Sequence, residues 1–133
     1  MSSRTRIMIA DDDPAILDSL SLLLEFEGYQ VTTSSNGSEL AEMKGNLPDL
    51  VILDIWMSGT DGRDICRALR TKEVTRNLPV IMMSASSDIG SSALEAGASD
   101  FLPKPFEIDK LIKKINEVLN STSNSGEEGK FLS

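Results

Sequence analysis

The chain has 133 residues, 26% of them charged and 40% apolar, with a formal net charge of −8, one cysteine and no histidine. This length supports one domain with a sizeable core, and the acidic balance argues against direct binding of nucleic acid, whose phosphates need clustered Lys and Arg. Without histidine, Ser-His-Asp and Cys-His catalysis and histidine metal ligation are excluded, which leaves carboxylate chemistry as the main option.

Arg6 to Ala10 is a short apolar run that predicts a first strand, and it ends in Asp11-Asp12-Asp13. Pro14 follows, so Asp13 reads as the N-cap of a helix with proline at its first position. Ile16, Leu17, Leu20, Leu23 and Leu24 give that helix its apolar period, and Gly28 stops it. Tyr29 to Thr33 predicts a more polar second strand near an edge, Asn36-Gly37 a turn, and Ser38 to Lys44 a short helix. Leu50-Val51-Ile52-Leu53 is continuously apolar, as a strand buried on both faces requires, and it stops at Asp54. A helix is expected from Asp61 to Lys72, with Ile65, Leu69 and the lone Cys66 turned inward.

Val80 to Met83 predicts a fourth strand, closed by Ser84-Ala85-Ser86, and Ile89 to Ala96 a helix ended by Gly97. Asp100-Phe101-Leu102 reads as a short fifth strand before Pro103-Lys104-Pro105. Phe106 to Leu119 forms a last amphipathic helix with Ile108, Leu111, Ile112, Ile115, Val118 and Leu119 inward. From Asn120 the composition turns to Ser, Asn, Gly and Glu. The expected organisation is a domain over residues 1–120 and a flexible C-terminal tail or linker over residues 121–133, in which Phe131 and Leu132 have no evident partner. No apolar run reaches the length of a membrane span and no signal-peptide core opens the chain, so no membrane association and a cytoplasmic location are expected.

Five strands alternating with five helices imply right-handed crossovers and a parallel sheet covered on both faces. The predicted class is therefore α/β, a flavodoxin-like doubly wound five-stranded sheet in three layers. In such a sheet the residues just past the strands converge on one edge. Here these are Asp11, Asp12 and Asp13, then Asp54, Ser84 and Lys104. Crowded carboxylates repel unless something positive compensates, and a hard divalent cation such as Mg²⁺, with its taste for oxygen ligands, does so. Lys104 brings a compact charge suited to a phosphoryl group and Ser84 a hydroxyl donor. Metal-binding carboxylates, a nucleophilic carboxylate, a hydroxyl and a lysine are together what an aspartyl-phosphate site requires.

From about Arg6 to Leu119 the chain resembles the response-regulator receiver domain of two-component signalling. The motifs that carry this are Asp11-Asp12, Asp54 within LDIWMSGTDG, Ser84-Ala85 and Lys104-Pro105-Phe106. The resemblance implies that Asp54 is phosphorylated, and that Mg²⁺ is held by Asp12 and Asp54 directly, by Asp11 mainly through water, and by the Trp56 backbone carbonyl. It implies that Ser84, Ala85 and Lys104 contact the phosphoryl oxygens, that the Lys104-Pro105 bond is cis, and that Ser84 and Phe101 form a switch that remodels an interaction face. The implied partners are a sensor histidine kinase or phosphotransfer protein upstream and an unidentified protein or output domain downstream, with a homodimer also in keeping with the family. Self-catalysed phosphorylation and dephosphorylation are expected, not turnover of a metabolite. Ser58 departs from the family's usual proline, and Trp56, with Ser86, is expected to shape water access and the lifetime of the acyl phosphate. Three other classes compete. An interaction-only pseudo-receiver would normally lack Asp54, an acidic partner or Lys104. A flavodoxin-type cofactor binder would want a glycine- and hydroxyl-rich loop where this chain has three carboxylates. An aspartate-nucleophile phosphatase usually has a second acid where Trp56 stands.

Overall fold

In the computed structural model, residues 4–57, 59–85 and 90–125 are described. Ser58, Ser86, Ile89, Phe131 and Leu132, each singled out from the sequence, lie outside them. The elements in chain order are β1 (Arg6–Ala10), α1 (Pro14–Phe26), β2 (Gln30–Ser34), α2 (Ser38–Glu42), β3 (Leu50–Asp54), β4 (Trp56–Met57), β5 (Thr60–Asp61), α3 (Gly62–Thr71), β6 (Val80–Ser84), α4 (Gly90–Glu95), β7 (Asp100–Pro103) and α5 (Ile108–Ser125). Five strands form a parallel sheet in the order β2-β1-β3-β6-β7, and β4 and β5 make a separate antiparallel pair. The expected class is the observed one, with β2 at an edge as its polarity requires.

The period of two along each strand sorts the core into two halves. Met8, Ala10, Val51, Leu53, Val80 and Met82 face Leu40 of α2, Cys66 and Leu69 of α3, and Ala93 of α4. Ile7, Ile9, Leu50, Ile52, Ile81 and Met83 face Leu20 and Leu24 of α1 and Leu111, Ile115 and Val118 of α5. The sheet is thus the middle of three layers, and all five residues of β3 and of β6 are buried. Burial also pushes the Cys66 thiol above its usual range. No described helix is long and apolar enough to cross a membrane.

Several boundaries move. Leu23 is half-exposed rather than inward, because Leu20 and Leu24 already fill the inner stripe of α1. Met43 adopts an extended backbone and ends α2 two residues early. α5 starts at Ile108, two residues later than expected, and continues past Asn120 to Ser125. Extending a formed helix costs little per residue, so Ser, Thr and Asn at its end need not stop it. Residues 121–125, the first of the expected tail, are helical, and residues 126–133 lie outside the described residues. The β4–β5 pair was not legible, because two-residue strands carry no periodicity.

Gly62 joins that pair to α3 in close contact with the backbone of β3 and the residue after it. Its N–H donates to the Ile55 carbonyl at 2.6 Å, and a Cβ here would fall on the Asp54 carbonyl oxygen and within 3.1 Å of the Ile55 Cα. Backbone cannot swing aside as a side chain can. Gly62→Ala is expected to lower stability by about 1–3 kcal/mol, measured by urea unfolding; an unchanged midpoint would show that this backbone can give way.

Candidate functional site

Each strand end delivers one part of the site. Asp11 follows β1 and is buried; its N–H donates to the Ser34 carbonyl at 3.0 Å, tying the turn to β2. Its Oδ1 accepts from the Asp13 N–H at 2.9 Å and its Oδ2 from Lys104 Nζ at 3.0 Å. Asp12 is exposed beside it. Asp13 is the N-cap of α1, accepting from the Ala15 N–H at 3.0 Å, as its place before Pro14 suggests. Asp54 ends β3 and is buried, and Lys104 Nζ lies 3.4 Å from its Oδ1. The Lys104 N–H donates to the Ser84 carbonyl at 2.6 Å, which brings the loop after β7 against the end of β6.

The structure brings Asp11, Asp12, Asp54 and Lys104 together, and one oxygen from each of the three carboxylates lies within 4.8 Å of the others. Burial raises the Asp54 pKa to about 6; the Asp11 and Asp12 charges push the same way, and Lys104 pulls against them without prevailing. Burial alone would lower the Lys104 pKa, but the hydrogen bond to Asp11 and the charge of Asp54 outweigh it and raise it. Lys104 is thus held as a cation while Asp54 remains under-compensated. Hard oxygen donors with negative charge to spare fit a divalent cation such as Mg²⁺.

Ser84 is buried at the end of β6, one strand away from Asp54, and Ala85 stands exposed just past it. The Lys104-Pro105 bond is cis. Phe101 lies on β7, partly buried against the α2–α4 side of the core. The Trp56 side chain does not join the carboxylate cluster. It is 56% exposed, and the Arg63 guanidinium carbon sits 4.9 Å from its ring centre.

Arg63 and Gly62 are the residues that sequence reasoning missed. Arg63 donates from Nη2 and Nε to the Asp61 carboxylate at 2.7 and 3.0 Å and from Nη1 to Ser92 Oγ at 3.1 Å. The signal for Gly62 was present, a glycine at a helix start closing the loop that follows Asp54. Arg63 gave none.

The model of the "Response regulator receiver domain" family matches residues 7–116. The chain belongs to that family. It is 37% identical over 121 residues to "Response regulator MprA" of Mycobacterium sp. (strain KMS), a match that covers 89% of this chain and 52% of MprA. This receiver chain therefore spans about half the length of the curated relatives it matches. A response regulator from Chloroflexus aurantiacus superposes with a TM-score of 0.83 at 36% identity, covering 89% of this chain and 99% of the other. TrrA of Thermotoga maritima, solved in complex with Mg²⁺-BeF, superposes with a TM-score of 0.76 at 34% identity over 86% of this chain and 98% of its own.

The raised Asp54 pKa has a consequence for stability. The folded receiver holds this proton up to about pH 6, whereas an ordinary aspartate releases it near 3.8. The folded state then binds more protons than the unfolded chain across that window, so stability falls as pH rises through it. In chelator, Asp54→Asn is expected to escape this loss and to exceed the parent by about 2–3 kcal/mol above pH 6. Urea unfolding of both proteins between pH 4 and 7 checks it; parallel curves would mean that Asp54 is not under this pressure.

Proposed function

We propose that this receiver accepts a phosphoryl group on Asp54 from an external phosphohistidine donor and so switches a protein-interaction face. The observation that carries the reading is the buried Asp54 carboxylate held beside Asp11 and Asp12 with Lys104 bridging Asp11 and Asp54. The chain has no histidine of its own, so the donor is a sensor histidine kinase or a phosphotransfer protein. As the anion, favoured above about pH 6, an Asp54 oxygen attacks phosphorus, the donor nitrogen leaves with the P–N bonding pair, and an acyl phosphate results. Lys104 already reaches Asp54, and the same ammonium meets the added phosphoryl oxygens without rebuilding the site. Mg²⁺, held by Asp11, Asp12, Asp54 and the Trp56 carbonyl, would neutralise the transferring group. Self-catalysed loss of the phosphoryl group returns the chain to its starting state, and no metabolite is turned over.

The donor must approach from the open side of Asp54. Beside Lys104 and Ala85 lies a cleft of about 500 Å³, lined also by Ala15, Ile16 and Leu20 of α1 and by Phe106. Its apolar lining suits the face of a donor helix. On the response side, Ser84 would turn its hydroxyl toward the phosphoryl group and Phe101 would move into the space released. The downstream reader is a partner protein or an output domain, and contact with nucleic acid is not assigned to this acidic domain.

Intact-mass measurement after incubation with Mg²⁺ and acetyl phosphate tests the proposal. The parent should gain one hydroxylamine-labile phosphoryl group and Asp54→Asn none. An adduct of the same stoichiometry on the variant would move the phosphorylation elsewhere and end this assignment.

A further inference from the structure

The outer side of α1 carries a concentration of apolar surface. Leu22, Leu23 and Phe26 are 68%, 43% and 88% exposed, and spacings of three and four residues gather them on one side of the helix. Leu23 and Phe26 stand seven residues after Ile16 and Ser19, which line the cleft beside Phe106. A seven-residue step returns to nearly the same side of a helix, so Leu23 and Phe26 continue the wall of that cleft toward the far end of α1. The Tyr29 hydroxyl, just past that end, donates to Asn116 Oδ1 of α5 at 3.2 Å. The strip thus runs down the side of α1 that faces α5. The other exposed large apolar side chains among the described residues stand elsewhere: Trp56 near Asp54, Val74 after α3 and Leu94 on α4.

A segment of this chain matches the strip in reach and in chemistry. α1 and α5 follow parallel strands and pack on the same face of the sheet, so both run away from the Asp54 end. α5 continues to Ser125, nine residues past Asn116, which carries it about 14 Å further. Gly126-Glu127-Glu128-Gly129-Lys130-Phe131-Leu132 follows in the sequence, outside the described residues. The six residues from Ser125 to Phe131 span up to about 20 Å. For helices about 10 Å apart, the way back from Ser125 to α1 at the level of Asn116 is about 17 Å. Phe131 therefore reaches Phe26, and Leu132 the turn above it with Leu22 and Leu23. The cleft is out of range, since Ile16 lies ten residues before Phe26, about 15 Å further along α1. Gly126 and Gly129 ease the reversal of direction that this path needs. Lys130, next to Phe131, complements Glu25 and Glu27 on either side of Phe26, while Glu127 and Glu128 stand earlier, within the spacer.

We infer that the exposed strip of Leu22, Leu23 and Phe26 is the docking site of this chain's own Phe131-Leu132 segment, which folds back along α5 to cover it. The short tether keeps the segment at high effective concentration beside its site, so two apolar side chains suffice where a free peptide would not. The contact lies at the end of α1 remote from Asp54 and Lys104, and phosphoryl chemistry does not depend on it.

The test places a nitroxide on Ser133→Cys in the full chain enriched in ¹⁵N; Cys66 is fully buried and escapes the label. The amide signals of Leu22, Leu23 and Phe26 should lose most of their intensity, and those of Val74 and Leu94 should keep theirs. Two variants of the labelled chain should each restore the lost signals: Phe26→Asp, whose side chain is exposed and whose change spares the core, and Phe131→Ser with Leu132→Ser, which leaves α1 and the sheet untouched. Signals on α1 that keep their intensity in the parent, that stay weak in either variant, or that weaken no more than those of Val74 and Leu94 would overturn the docking. A mixture of labelled, unenriched chain with unlabelled, enriched chain separates the remaining occupant. Loss of the same α1 signals in that mixture would assign the strip to a second copy of the chain and would equally overturn the inference.

Discussion

Everything at the functional end of this receiver depends on one lysine between two buried carboxylates. Lys104 Nζ lies 3.0 Å from Asp11 and 3.4 Å from Asp54, and the three residues stand at the ends of three different strands. One positive charge cannot balance three clustered carboxylates, and burial makes each uncompensated charge costlier than it would be in water. Burial first, and then the charges of Asp11 and Asp12, push the Asp54 pKa up to about 6. A site in this condition gains from a divalent cation and, through it, from a phosphoryl group.

The rest of the fold makes that imbalance tolerable. β3 and β6 are buried along their whole lengths, and their apolar side chains feed two separate core halves. Large apolar burial on both faces supplies the stability against which a repulsive edge can be held. Parallel strands also leave their carboxyl ends on one side, so each new strand adds a candidate group to the same place. The backbone bonds from Asp11 to Ser34, from Ile55 to Met83 and from Lys104 to Ser84 then stitch neighbouring ends together. Position at this edge is set by main chain, which leaves the side chains to chemistry.

α4 stands apart from this rigidity. It lies between Phe101 on β7 and Arg63 on α3, and it buries little of its own. Elements with few apolar contacts open at low free-energy cost. Among the described residues its buried apolar contacts are few, whereas α1 and α5 are packed on the sheet by several branched side chains each.

The sequence by itself determined the class, the strand order in the chain and the reactive group at each strand end. Buried parallel strands must be continuous apolar runs, so Asp54 after LVIL and Asp11 after RIMIA stand out without any structure. Asp13 as a cap and Cys66 as a core residue were legible for the same local reasons. Only the tertiary structure decided which of these groups touch: that Lys104 bridges Asp11 and Asp54, that Gly62 must pass under the Asp54 carbonyl, and that Phe101 rests on Gly90. It also joined Arg63 to a serine 29 residues away. Periodicity and capping report on neighbours along the chain, within a turn or two. Charge balance and contacts between helices arise from residues that meet only once the sheet has formed.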